Sequence, residues 1–188
     1  MDHIFETVPG WFKFAPAYDR ALAEATEGAT FVEVGCWQGR SAAYLGVSIV
    51  NSGKRIALHC VDRWQDPTVP GLREVFESNL ARVVSAGLDL TLHQAESHLA
   101  AAAFADNSLD FVWLDAGHRF EDVRADLIAW LPKLRFGAAI GGDDWNFLGV
   151  SAAVREILGN DFELGSADYW PWWWHRRKPL RKHERTRG

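Results

Sequence analysis

The sequence predicts an α/β fold: a Rossmann-like, doubly wound and mainly parallel seven-stranded sheet, with helices on both faces and an antiparallel C-terminal hairpin. Short apolar runs alternate with helical patterns between residues 31 and 158, and this alternation is typical of parallel sheets covered by helices. The stretch FVEVGCWQGRS at 31–41 joins the first apolar run to a helix through a glycine-containing turn. Aromatic segments before and after Pro171 predict the closing hairpin.

The predicted elements follow one another in a regular order. Residues 1–30 form an N-terminal cap segment, in which an aromatic loop at 11–14 precedes a helix at 16–27 that Gly28 ends. The strand at 31–34 leads through the turn into a helix at 41–50, whose small residues suit close packing on a sheet. The remaining strands are predicted at 55–61, 88–93, 110–115 and 138–141, the remaining helices at 71–86, 97–103, 120–131 and 150–158, and the hairpin at 162–170 and 172–177.

Length and composition are those of one globular domain. The chain has 188 residues, of which 48% are hydrophobic and 24% are charged, so we expect a single domain at 1–178 with its own core. Residues 179–188 are expected to form a flexible basic tail. From His175 onward the chain carries seven Lys and Arg residues and one Glu. A solvated terminus is the favoured interpretation of this charge, and contact with nucleic acid or an anionic surface is the alternative.

Two further features concern the cellular compartment. The sequence has no run of about 18 apolar residues, and its first ten residues lack the basic region and apolar core of a signal peptide. We therefore predict a cytoplasmic protein without a membrane segment. Cys36 and Cys60 fall on or beside adjacent predicted strands, where free thiols behave as small apolar groups.

The carboxyl ends of the predicted strands form the candidate binding edge. In doubly wound sheets, ligands bind beyond these ends, near the point where the strand order reverses. This rule places Gly35, Asp62, Glu96, Asp115 and Asp143 along one edge. The residues at this edge therefore decide which ligand the protein binds.

The first turn discriminates among nucleotide-like ligands. The dinucleotide fingerprint G-x-G-x-x-G requires a middle glycine beside the pyrophosphate, but Trp37 occupies that position. Glu33, before the turn, suits an ammonium-bearing ligand better than phosphates, and Asp62 is placed to accept hydrogen bonds from both ribose hydroxyls. S-adenosylmethionine (SAM) carries a ribose, an ammonium group and a sulfonium, so we predict SAM as the ligand.

The sequence EVGCWQGRS at 33–41 resembles the first motif of class I SAM-dependent methyltransferases. Asp62 matches the ribose-binding acid of that family, and residues 95–97 resemble its segment near the adenine. The block at 108–145 is similar to the macrocin-type and cephalosporin-pathway O-methyltransferases, in which D-x-x-H follows strand four and an acidic pair follows strand five. The resemblance implies cofactor binding by Glu33, Gly35, Trp37, Gly39, Ser41, Asp62, Glu96, Ser97 and Asp115.

Acids at the ends of two neighbouring strands indicate a reaction centre. Asp115 ends strand four, and Asp143 and Asp144 follow strand five, so their carboxylates can converge on a hard cation such as Mg²⁺. His118 is placed to take the proton of the acceptor or to orient it, which makes His118 and Asp115 the predicted catalytic residues. Two alternatives stay open: the acids bind substrate or cap a helix without a metal, and His118 is structural.

Helix 120–131 carries its own charged residues. We interpret Glu121, Asp122, Arg124 and Asp126 as a solvated helix face.

The C-terminal segment YWPWWW at 169–174 is also open to more than one interpretation. Because side chains alternate across a strand, we expect some Trp to face the core and others to face solvent, a partner or a ligand. A homodimer or core role is one interpretation, and a stacking platform for a sugar or aromatic acceptor is the other.

The predicted function is SAM-dependent O-methylation of a small hydroxylated acceptor, a sugar or a natural-product intermediate, with assistance from Mg²⁺. The alternative is a non-catalytic SAM- or nucleotide-binding module, whose Trp-rich hairpin and basic tail would serve a partner. A nucleic-acid methyltransferase ranks low, because DAGH stands at 115–118 where base-amino methyltransferases carry a (D/N)-P-P-(Y/F) motif.

Overall fold

Residues 1–178 are described by a computed structural model, and the predicted basic tail at 179–188 lies outside the described residues. The strands of the described part are β1 (Thr30–Val34), β2 (Ala57–Asp62), β3 (Asp89–Gln94), β4 (Leu109–Leu114), β5 (Leu134–Gly142), β6 (Glu163–Ala167) and β7 (Trp170–Arg176). Its α-helices are α1 (Ala15–Glu24), α2 (Arg40–Ser52), α3 (Leu72–Ser85), α4 (Ser97–Ala100), α5 (Phe120–Trp130) and α6 (Leu148–Leu158).

The strands form one seven-stranded sheet in the order β3-β2-β1-β4-β5-β7-β6. Strands β1 to β5 run parallel to one another, and β7 runs antiparallel to both of its neighbours, β5 and β6. The predicted doubly wound fold with a C-terminal hairpin is therefore confirmed. The strand order reverses between β1 and β4, which is where such sheets bind ligands.

Two apolar layers cover the two faces of the sheet. Neighbouring positions on a strand point to opposite faces: Phe31 of β1 belongs to the layer that includes Tyr18 of α1 and Phe76 of α3. Val32 belongs to the opposite layer, together with Leu127 of α5. Both faces are thus packed, and the open edge for a ligand is the row of carboxyl ends.

The hairpin differs from the prediction in the position of its turn. The turn lies at Asp168 and Tyr169, both with positive φ (49° and 65°), as a two-residue primed hairpin turn requires. Pro171 instead lies inside β7, opposite Ser166. The prediction of a turn around Pro171 was therefore wrong, because the flanking turn residues were read as part of a strand.

Three tryptophans of β7 have the core role that was one of the two interpretations of this segment. They alternate as expected, and Trp172 and Trp174 are buried in one apolar layer and Trp173 in the other. Residues of α1 such as Tyr18 cover one face of β7, and residues of α6 such as Val150 cover the other, so these three side chains are core residues. Near the turn, Trp170 is 39% exposed and Tyr169 is 99% exposed.

The bounds of several helices and strands also differ from the predicted ones. Helix α1 ends at Glu24, three residues before the predicted end, and a 3-10 turn replaces the second half of the predicted helix at 97–103. Strand β5 begins at Leu134, four residues early, and its pairing with β4 shifts register between Leu109 and Phe111.

Among residues 1–178, no helix combines the length and the apolar character that crossing a membrane demands.

Candidate active site

A cavity of about 1160 Å³ opens at the carboxyl ends of the strands. Its walls are the turn between β1 and α2, the loops after β2, β3, β4 and β5, and the N-terminal loop at 10–13. Small-molecule sites are usually about 300–1,000 Å³, so this cavity has room for two ligands side by side. Most of the residues predicted to bind a cofactor line it: Gly35, Trp37, Ser41, Asp62, Glu96, Ser97 and Asp115.

Two predicted cofactor residues do not line this cavity. Glu33 is fully buried beneath the turn, and Gly39 faces α3, where an added Cβ would lie 2.6 Å from Cδ2 of Leu80. Gly39 has φ of 90° and begins α2, so a glycine is needed here for helix packing. The structure thus separates these two residues from the other seven.

Gly35 brings the turn after β1 against the end of β4. Its φ is 88°, and an added Cβ would lie 2.0 Å from the backbone oxygen of Asp115. The N–H of Asp115 donates to the carbonyl of Val34 over 2.7 Å. Gly35 therefore permits a backbone contact within the protein, and this contact fixes Asp115 relative to the turn.

Asp62 holds the same turn from the other side. Its Oδ2 accepts hydrogen bonds from the backbone N–H groups of Cys36 and Trp37, each 2.8 Å, and its Oδ1 accepts one from Trp64, 2.7 Å. A carboxylate offers about four acceptor positions, so about one remains for a ribose hydroxyl. Asp62 is thus a clamp on the turn as well as a candidate ribose ligand.

Trp37 is fixed at the cavity wall in a left-handed conformation, with φ of 42°. Its indole N–H donates to Asp66 over 2.9 Å, and its ring stacks on Trp11 with centroids 6.2 Å apart. Asp66 was not among the residues predicted from the sequence. It accepts hydrogen bonds from the N–H and the hydroxyl of Thr68, two residues later. This Asx-turn pattern is the sequence signal that would have placed Asp66 in the loop.

Glu33 lies in a closed polar group below the turn. The Ser41 hydroxyl donates to Glu33 Oε1. Burial raises the pKa of the Glu33 carboxyl to about 7, against the lowering effect of its hydrogen bond from Ser41. Glu33 Oε2 has no hydrogen-bond partner among residues 1–178. Cys36 and Cys60 lie beside it as free, buried thiols, as the sequence predicted.

Asp115, His118 and Asp144 come together at the other end of the cavity. Each offers one ligand atom, and these atoms all lie within 4.8 Å of one another. His118 Nε2 lies 2.6 Å from Asp144 Oδ2, and this contact raises the pKa of His118. The His118 ring also packs on Phe147, with centroids 5.0 Å apart.

The carboxylates of this group repel one another. Burial, followed by the charges of Asp143 and Asp144, raises the pKa of Asp115 well above its usual value. Burial also raises the pKa of Asp143 to about 6, and its Oδ1 is a buried oxygen without a hydrogen-bond partner among residues 1–178. A cation or a hydroxyl donor at this point would relieve both the repulsion and the missing bond.

Asp126, which lies beside the predicted adenine segment, was wrongly predicted to be exposed to solvent. Asp126 is only 3% exposed, and the Ser97 hydroxyl donates to its Oδ1. The expected solvated helix face therefore excludes Asp126, because α4 packs on this side of α5. Arg124 does lie outward and pairs with Glu156, while Glu96 pairs with Arg63 at the cavity rim.

The geometry allows proton transfer beside a bound organic ligand. A histidine held by a carboxylate is a general base of the usual kind, and the neighbouring acids can hold a cation or bind hydroxyls. Exposed or partly exposed aromatic rings from two loops and from the start of β7 line the cavity: Trp11, Phe147 and Trp170.

Comparison with known proteins agrees with this geometry. Residues 32–145 match a family model described as "Methyltransferase domain". A curated relative from Sinorhizobium fredii, described as an uncharacterized protein, is 23% identical over 175 residues, which cover 87% of this chain. The chain spans only 19% of the length of that relative.

Solved structures share the fold at low sequence identity. CalS11, a TDP-rhamnose 3′-O-methyltransferase of calicheamicin biosynthesis, has a TM-score of 0.66 at 19% identity, covering 86% of this chain and 76% of its own. A SAM-dependent O-methyltransferase from Thermotoga maritima has a TM-score of 0.65 at 12% identity, covering 93% and 69%. An rRNA methylase from Streptococcus thermophilus has 0.65 at 10%, covering 87% and 95%. Proteins with different acceptors thus share this fold.

Proposed function

The chain belongs to the methyltransferase-domain family and is a class I SAM-dependent methyltransferase domain, and on this premise we propose that it methylates a hydroxyl of a small acceptor. A sugar or a natural-product intermediate is the proposed acceptor class. The observation that carries the proposal is the His118–Asp144 contact of 2.6 Å beside Asp115, inside the cavity that the β1–α2 turn lines. A non-catalytic binding module would have no use for such a pair.

His118 is the proposed base. With Nε2 held by Asp144, Nδ1 is the ring nitrogen that remains to take the acceptor proton. The acceptor oxygen bonds to the methyl carbon of SAM as the carbon–sulfur bond breaks, which yields a methyl ether and S-adenosylhomocysteine (SAH). Asp144 stabilises the imidazolium that forms, and Asp115 lies within reach of the same hydroxyl.

A divalent cation fits the acids of this site. Asp115 and Asp144 offer carboxylate oxygens, the ligands that Mg²⁺ prefers, within 4.8 Å of one another and of His118. Asp143 lines the same cavity and adds a buried oxygen, Oδ1, that has no hydrogen-bond partner among residues 1–178. We propose these three residues as the metal ligands; when bound, the cation would lower the pKa of the acceptor hydroxyl. Chelation with EDTA should lower kcat, and added Mg²⁺ should restore it. Unchanged turnover after chelation would remove the metal from the proposal.

TDP-rhamnose is the first acceptor to assay, because CalS11 shares the fold and acts on it. The assay incubates the protein with methyl-labelled SAM and a panel of TDP-rhamnose, simple glycosides and matching amino sugars, and detects methyl ethers by mass spectrometry. His118→Asn should lower kcat by about 10²- to 10⁴-fold with little change in SAH affinity. The control His3→Asn, outside the cavity, should leave kcat unchanged.

Two outcomes would contradict the proposal. Methylation of the amino sugars at nitrogen, with no ether formed from any hydroxyl acceptor, would replace O-methylation by N-methylation. Full turnover in His118→Asn would exclude His118 as the base.

The homodimer and the cytoplasmic location expected from the sequence stay predictions. Light scattering on the purified protein tests the first, and Tyr169, exposed at the hairpin turn, is the aromatic side chain that dimer formation would be expected to cover. Fractionation of cells that produce the chain tests the second.

A further inference from the structure

Glu33, Cys36 and Cys60 form a second group of ligand atoms, which the proposed reaction does not use. Glu33 lies on β1, Cys36 in the turn that follows it, and Cys60 on β2, where it is the register partner of Glu33. Each residue offers one ligand atom, and these atoms all lie within 4.8 Å of one another. Cys60 is distant from the other two in the sequence, and the pairing of β1 with β2 brings the three together.

The three side chains are buried, and one of their polar atoms has no partner. Glu33 is 0% exposed, Cys36 is 3% exposed and Cys60 is 0% exposed. The Ser41 hydroxyl donates to Glu33 Oε1, whereas Glu33 Oε2 has no hydrogen-bond partner in the described part of the chain. A buried carboxylate oxygen needs a donor or a cation, so this oxygen is the observation that points to a ligand.

Two sulfurs and one carboxylate oxygen suit a thiophilic cation and not Mg²⁺. Thiolates select zinc and similar soft ions, whereas Mg²⁺ takes oxygen ligands. A tetrahedral zinc ion with Zn–S bonds of about 2.3 Å holds its ligand atoms about 3.5–3.8 Å apart. Since the ligand atoms of this group lie within 4.8 Å, movements of about 1 Å close the set around one ion.

Cys36 gives this group a route to the cavity. It lines the cavity wall at the turn, so an ion can reach the group from there, and a fourth position stays open to water. Cys36 Sγ makes only long contacts with backbone carbonyls, 3.4 Å to Glu33 and 3.7 Å to Val61, and a thiol is a weak donor. Little hydrogen bonding is therefore lost when the thiol proton leaves.

We propose that Glu33, Cys36 and Cys60 bind one thiophilic divalent cation, zinc in particular, beneath the turn between β1 and α2. This site is separate from the group of Asp115, His118 and Asp144, and it depends neither on SAM nor on the acceptor. The ion joins β1, the turn and β2 at one point, which adds to the hold that Asp62 has on the same turn.

Binding at this site releases protons. Burial raises the pKa of both thiols, so without a metal they are neutral and unreactive. The cation replaces the two thiol protons, and the two thiolates and the carboxylate then compensate its charge in the buried site. Binding should therefore strengthen as the pH rises, by about 10- to 100-fold per pH unit.

Cadmium, which prefers thiolate ligands as zinc does, provides a direct measurement. The metal-free protein, with its thiols kept reduced by a phosphine, is titrated with Cd²⁺, and the cadmium–thiolate absorption in the ultraviolet is recorded. The chain has two cysteines, so this absorption reports this site alone. We expect saturation at one Cd²⁺ per chain while circular dichroism shows a folded protein, and loss of the absorption when excess Zn²⁺ displaces Cd²⁺.

Four variants separate this site from other modes of binding. Cys36→Ala and Cys60→Ala should each lower the Cd²⁺ affinity by at least about 100-fold, and Glu33→Gln, which keeps both thiols, by about 10-fold. Asp144→Asn, which alters the acidic group, is the control and should keep the wild-type Cd²⁺ affinity and absorption.

Three outcomes would overturn the proposal. The first is no cadmium–thiolate absorption from the folded wild-type protein in excess Cd²⁺, or absorption that begins only when heat unfolds the chain. The second is wild-type affinity in Cys60→Ala, which would mean that Cys36 binds the ion as a single thiol. If the cysteine variants do not fold, Glu33→Gln and the pH dependence decide: wild-type affinity in Glu33→Gln, or an affinity that is constant between about pH 6 and about pH 8, is the third.

Discussion

Gly35, in the turn that follows β1, lies against the backbone of Asp115, the residue that follows β4: a Cβ on Gly35 would lie 2.0 Å from the backbone oxygen of Asp115. The N–H of Asp115 donates to Val34 across the same junction. The cofactor turn and the reaction centre are therefore one rigid unit, and a disturbance of the turn moves the acid.

This contact predicts a large difference between two glycine substitutions. Gly35→Ala should be severely destabilised, since the added methyl group meets backbone atoms that cannot move aside. Gly28→Ala is the matched control: Gly28 also has a positive φ, 79°, but a Cβ added there would meet nothing within 4 Å, so only about 1–2 kcal/mol of backbone strain is expected. Urea unfolding of both variants measures the difference, and equal losses would contradict the contact.

Asp62→Asn tests the clamp on the turn. The amide nitrogen cannot accept a hydrogen bond, so at least one of the three backbone N–H groups that Asp62 now satisfies loses its acceptor. We expect a loss of about 1–3 kcal/mol in the free energy of unfolding and weaker SAH binding by calorimetry. Asp66→Asn, in the next loop, should cost less stability, since two of its three donors, the N–H and hydroxyl of Thr68, are exposed to solvent and only the Trp37 indole N–H is part-buried. An Asp62→Asn protein with wild-type stability would show that the hydrogen bonds from Asp62 to the turn are not needed for folding.

Glu33 predicts a pH dependence of stability. The folded protein holds this proton up to a pKa of about 7, whereas the unfolded chain releases it near 4.5. The unfolded state therefore binds fewer protons between these values, and the free energy of unfolding falls as the pH rises through this window, by about 3 kcal/mol for this group. Above the folded pKa the loss is complete.

Glu33→Gln removes one titrating proton and should make the pH dependence smaller. The rest of the dependence comes from Asp115, Asp126 and Asp143, whose pKa values burial also raises. Urea unfolding at about pH 5 and about pH 8 measures it in the wild type, in Glu33→Gln and in the surface control Glu74→Gln. A Glu33→Gln protein that loses as much stability as the wild type between the two pH values would show that Glu33 is ionised throughout.

The binding edge could be predicted because strand order and turn chemistry are local in the sequence. Gly35, Asp62 and Asp115 each follow a short apolar run, and parallel strands bring such positions to one edge whatever the details of packing. The structure places all three at the cavity, and the family membership explains the pattern.

Asp126 and the β7 tryptophans could not be placed in this way. The charged pattern of α5 does not reveal that α4 covers one side of it, and the burial of Asp126 depends on that contact. Likewise, alternation along β7 predicts two faces but not that apolar layers cover both of them. Gly39 was likewise predicted to bind the cofactor, because the sequence does not reveal that Leu80 of α3 packs against it and leaves no room for a side chain.

A crystal structure of the protein with SAH tests the central claim most directly. We predict that the sulfur lies at the Asp115–His118–Asp144 end of the cavity, the ribose beside Asp62, and the adenine beside the segment at 95–97. SAH bound outside this cavity, or with its sulfur turned away from Asp115, would contradict the claim that these residues form the methyl-transfer site.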